Sequence, residues 1–86
     1  MHLDYEKIIA DYLLDNIIFG TDPPLSPKQR LIDTGLIDSV SIVKVLIFLE
    51  NEFRISFGED DIAPENIETV EAMARMVVRK RGEVIG

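Results

Sequence analysis

The 86-residue chain has no cysteine and a single histidine, His2. Without cysteine there can be no disulfide, no thiolate metal site and no cysteine nucleophile, a composition compatible with a reducing compartment. With its one histidine beside the terminus, the chain also offers no base to activate a serine, and it has no G-x-S-x-G turn to present one. Basic residues are few: 9 Lys and Arg stand against 16 Asp and Glu, for a formal net charge of -7. Attraction to phosphate backbones or anionic lipid is therefore disfavoured, and nucleic acid is not an expected partner. The opening stretch, MHLDYEKIIADYLLDN, has no basic region and scatters acids among its apolar residues, so neither a signal peptide nor a membrane span is expected. A cytoplasmic protein is the expectation. The G-x-x-x-x-G-K-[ST] phosphate cradle is missing too.

What remains is a balanced composition, 47% hydrophobic and 29% charged, which suits one compact domain over residues 1–86. Tyr5, Ile8, Ile9, Tyr12, Leu13 and Ile17 recur at helical spacing, with Asp4 able to cap the start. Gly20, Pro23, Pro24 and Pro27 then predict a long connection from Gly20 to Asp38, pinned to the core by Leu25, Leu31, Ile32 and Leu36. Gly35 is expected to supply a backbone angle that other residues resist. A second helix is predicted from Asp38 or Ser39 to about Phe53, although Val40, Ile42, Val43, Val45 and Ile47 would also suit a strand. A short extended piece with Ile55 and Phe57, a Gly58 turn and an acidic cluster follow. Pro64 opens a short third helix to Ile67, and Thr69 caps a fourth whose Val70, Met73, Ala74, Val77 and Val78 form one stripe. The expected fold is all-α, a four-helix bundle. Its expected core is Leu46, Leu49, Phe53, Val70, Met73, Ala74 and Val77 with Ile9 and Leu13.

Two features could carry chemistry. Glu59, Asp60 and Asp61 lack the alternating oxygen ligands, the glycine and the distant glutamate of a calcium loop, so a solvated, partner-facing acidic surface is expected there. The second helix has too few polar residues to cover an outer face, which leaves an apolar strip to meet a partner. At its head stands "LIDTGLIDSVS", with Ser39 beside Asp38.

In this order, the first amphipathic helix, the long loop, "DTGLIDSV", "LENEFRISF" and "APENIETVEAMARMV" resemble the acyl carrier proteins and the related peptidyl carrier proteins from about Tyr5 to Arg81. The resemblance implies that Ser39 carries 4'-phosphopantetheine, attached by a phosphopantetheinyl transferase, with Asp38 capping the helix beside it and Gly35 letting the loop turn close by. It implies no enzymatic activity of the chain's own. Further partners would be an acyl- or aminoacyl-loading ligase and a downstream transferase or synthase, met by a monomer through Val40, Ser41, Lys44 and Ile47. The sequence departs from the pattern at Val40, where the family usually has leucine, and at Ser41 and Lys44, where fatty-acid carriers often have acids. Those departures point to a specialised carrier for an aminoacyl or secondary-metabolite pathway. The alternative is an unmodified helical adaptor that binds a partner through the second helix.

Overall fold

The computed structural model describes residues 5–20 and 25–82. His2, the Asp4 cap, Pro23 and Pro24 lie outside them. Helix α1, Tyr5–Asn16, forms where the sequence spacing places it and turns Ile9 and Leu13 fully inward. Its outer face carries the Lys7–Asp11 pair at 2.8 Å, one turn apart. The helix ends as the Ile17 and Ile18 N–H groups both donate to the Leu13 carbonyl; Ile18 is buried, whereas Phe19 is 78% exposed.

Helix α2, Ser39–Phe53, buries Ile42, Val45, Leu49 and Phe53. This corrects the expected core at one position: Leu46 is only partly buried at the flank, and Val45 occupies the inward position. Positions 45 and 46 flank the line through 42, 49 and 53 on opposite sides, and the flank of 45 is the one that the bundle covers. Aromatic pairs lock α2 to α1. Tyr12 stacks on Phe48 with centroids 3.9 Å apart, and Tyr5 meets Phe53 edge-on at 4.9 Å. The C-terminal end closes on Arg54 in the left-handed conformation, φ 56 and ψ 53, and Arg81 donates to the Phe53 carbonyl at 2.8 Å.

Between α2 and the next helix the chain has no regular structure over residues 55–58 and is held by the Phe57 N–H donating to the Glu50 carboxylate at 2.9 Å. A 3-10 turn covers Glu59–Asp61. Glu59 and Asp60 are exposed as expected, but Asp61 has a structural task, accepting from Lys80 at 2.9 Å and from the Gly58 N–H at 2.8 Å. Lys80 first, and the Gly58 bond second, hold the Asp61 carboxyl below its ordinary pKa. Helix α3, Pro64–Ile67, leads into α4, Val70–Arg81, which buries Val70, Met73, Ala74, Met76, Val77 and Val78. Thr69 caps α4 by accepting the Ala72 N–H at 3.0 Å, and Gly82 ends it at φ 73. Helix α4 touches all three other helices and is the hub of an all-α bundle.

The long connection packs against this hub. Leu25, Leu31 and Ile37 are buried, while Ile32 and Leu36 are partly so. Among the described residues no helix is long and apolar enough to cross a membrane.

Candidate functional site

Ser39 is the first residue of α2 and is exposed. Its presentation depends on Asp38, whose extended backbone ends the loop and whose Oδ1 accepts the Ser41 N–H at 2.8 Å. Ile42 is the first residue to donate within the helix, to the Asp38 carbonyl at 3.0 Å. Since Asp38 takes only the Ser41 donor, the N–H groups of Ser39 and Val40 have no partner among the described residues and stand at the positive end of the helix. The Ser39 hydroxyl likewise makes no hydrogen bond among them. The Asp38 carboxyl lies below its ordinary pKa, chiefly through the Ser41 N–H, then through the Ser41 hydroxyl, with Lys44 adding a smaller attraction.

The approach to Ser39 is a tight turn over residues 31–35. Thr34 Oγ1 donates to the Arg30 carbonyl at 2.7 Å, the Gly35 N–H to the Ile32 carbonyl at 3.0 Å, and the Ile37 N–H to the Leu31 carbonyl at 3.0 Å. Gly35 has φ 78, the left-handed angle foreseen for it. Glu68, between α3 and α4, holds the other side of this turn. Its Oε2 accepts from the Ile32 N–H at 2.9 Å and the Asp33 N–H at 3.2 Å, and its carbonyl accepts the Leu31 N–H at 2.9 Å. In return the Pro27 carbonyl accepts the Glu71 N–H at 2.9 Å, one of the donors that the start of α4 leaves over. Sequence reasoning missed Glu68. Its one signal is an acid between residues that prove buried, Ile67 and Val70, and its partners are 35 and 36 residues away.

The outer face of α2 is apolar beyond Ser39. Val40 is 68%, Val43 55% and Ile47 52% exposed, with the exposed Lys44 among them. Ser41 is half-buried and engaged with Asp38. Val43 belongs to this face although the sequence reading did not single it out. Beside it runs a groove of about 430 Å³ lined by Tyr12, Lys44, Ile47, Phe48, Asn51 and Glu52. The arrangement can present a hydroxyl to an external enzyme and an apolar surface to a docking partner. It contains no histidine, and no group of three potential metal ligands occurs among the described residues.

No family model matches the chain. Individual proteins do. Aminoacyl carrier protein 2 of Bradyrhizobium diazoefficiens is 37% identical over 80 residues, covering 93% of this chain and 85% of that protein. Aminoacyl carrier protein 1 of the same organism is 35% identical over 84% of this chain and 76% of that protein. The probable acyl carrier protein PigG of a Serratia species is 27% identical over 86% and 85% respectively. A chain from a solved structure described as a crystal structure of FAD-dependent dehydrogenase superposes with a TM-score of 0.72 over 80% of this chain and 97% of that one; at 23% identity this likeness speaks for the fold alone. A four-helix bundle with a helix-starting serine, and more than a third of its residues shared with a curated carrier over most of both lengths, leaves one assignment: the chain belongs to the acyl carrier protein family.

Proposed function

We propose that this chain is an aminoacyl or acyl carrier whose Ser39 hydroxyl receives a 4'-phosphopantetheine arm. The observation that carries the reading is the placement of Ser39, exposed and unengaged at the head of α2. In the transfer, Ser39 Oγ bonds to the phosphorus that bears the pantetheine of coenzyme A. The bond from that phosphorus to the departing 3',5'-ADP breaks, and the serine proton passes to a base of the phosphopantetheinyl transferase. The chain's own residues suit a phosphodiester at this point, because the uncommitted N–H groups of Ser39 and Val40 face it at the positive end of a helix. Asp38 is drawn away into the cap, which keeps its charge on the Ser41 side. When attached, the arm supplies the thiol that a cysteine-free chain lacks and holds cargo as a thioester.

The names of the two Bradyrhizobium relatives favour an aminoacyl cargo. Loading by a ligase and unloading by a downstream transferase or synthase would then proceed through the face of Val40, Ser41, Lys44 and Ile47, with a cytoplasmic monomer of one domain as the working unit. Lys44 in the middle of this face suits partners that do not rely on a basic patch.

Intact-protein mass spectrometry after incubation with a broad-specificity transferase, magnesium and coenzyme A tests the reading. The expected result is a gain of one phosphopantetheine in the wild type and none in Ser39→Ala. No gain in a folded wild type, with transferases of the native host also tried, would leave an unmodified adaptor that binds through α2.

A further inference from the structure

We infer that Glu68 is a positioning residue for the modification of Ser39: from the joint between α3 and α4 its carboxylate fixes the turn that delivers the start of α2 to the modifying enzyme. The inference rests on the reading of Ser39 as the attachment site.

Glu68 is the only charged residue among the buried ones described, 9% exposed. A carboxylate taken that far from water needs partners that satisfy it, and here it has two backbone N–H donors, Ile32 at 2.9 Å and Asp33 at 3.2 Å. These are the leading N–H groups of the turn over residues 31–35, so Glu68 caps that turn as a helix N-cap would, from across the fold. Arg30 stands 4.0 Å from the other carboxylate oxygen. From the turn the constraint runs along the chain. Ile37 donates to Leu31 and is buried, and the next two residues are Asp38 and Ser39. Nothing else described holds Ile32 and Asp33 by their N–H groups. Besides its pair with Arg30, the Glu68 carboxylate satisfies a loop whose far end is the site.

The experiment compares wild type, Glu68→Ala and Glu68→Gln as apo chains, by residue-resolved hydrogen exchange and by transferase kinetics with coenzyme A. In Glu68→Ala, exchange at Ile32 and Asp33 should rise on the order of tenfold, the loss of a charge-assisted bond, while Val45 and Met73 stay protected. The KM for the carrier should rise by a similar factor with kcat little changed, because the hydroxyl and its surroundings are intact but seldom correctly placed. Glu68→Gln, which keeps an acceptor oxygen, should recover most of both effects. Uniform loss of protection across the chain, or local loss with unchanged KM, would overturn the inference. Should Glu68→Ala fail to fold, Glu68→Asp, one methylene too short to span the gap, takes its place with the same expectations. An unmodified wild type would instead refute the assignment of Ser39, a failure distinct from any exchange result.

Discussion

Helices α2 and α4 treat their apolar residues in opposite ways. Helix α4 carries Glu71, Arg75, Arg79, Lys80 and Arg81, yet buries six of its 12 residues. Helix α2 is far more apolar, yet buries only four of 15 and leaves Val40, Val43 and Ile47 more than half exposed. Apolar content therefore does not measure contribution to the core. The hub of the bundle is the helix that buries every one of its valines and methionines, and the surplus on α2 is surface that folding does not require.

The largest expected effect tests that contrast directly. Met73→Ala in α4 and Leu49→Ala in α2 both remove fully buried side chains and should each cost about 2–5 kcal/mol in denaturant unfolding. Ile47→Ala, on the exposed face, should cost no more than about 1 kcal/mol, with its effect appearing in partner binding. Equal costs at 47 and 49 would mean that the outer face of α2 is a second core.

A smaller effect separates the two C-terminal ends. Both helices close on a left-handed residue, but α4 uses Gly82 and α2 uses Arg54. Arg54→Gly should stabilise the chain by about 1 kcal/mol, since glycine alone enters that region without a Cβ penalty. No gain would show that the arginine side chain contributes as much by packing as its backbone loses.

The N-terminal ends supply the finest test. Thr69 caps α4 with a hydroxyl, whereas Asp38 caps α2 with a titrating carboxylate. Because the Ser41 bonds lower the folded-state pKa of Asp38, its charge adds stability above the ordinary carboxylate value, and that addition fades as pH falls through the lowered value. The stability difference between wild type and Asp38→Ser, followed from neutral to acid pH by thermal unfolding, should shrink in that direction. A constant difference would show that the charge plays no part in the cap.

Much of this molecule was legible in one dimension because its signals are local. Proline at the first position of α3, threonine before α4, aspartate before α2 and the three-and-four spacing of α1 and α4 act within a turn or two of themselves, so the helix limits follow from them. The β-branched run of α2 was ambiguous, and the side of the helix on which Leu46 falls was misjudged, because the composition of that helix is apolar all round and leaves its phase undefined.

Sequence alone determined the four helices, the N-terminal caps of α2 and α4, the left-handed Gly35 and the position of Ser39 at a helix start, since each rests on short-range hydrogen bonding and backbone sterics. Tertiary structure alone decided which residues of α2 face α4 and α1, that Asp61 belongs to Lys80, and that Glu68 holds the turn before the serine. Those outcomes depend on groups far apart in the chain, and the burial that makes their bonds strong exists only once the bundle has closed around them.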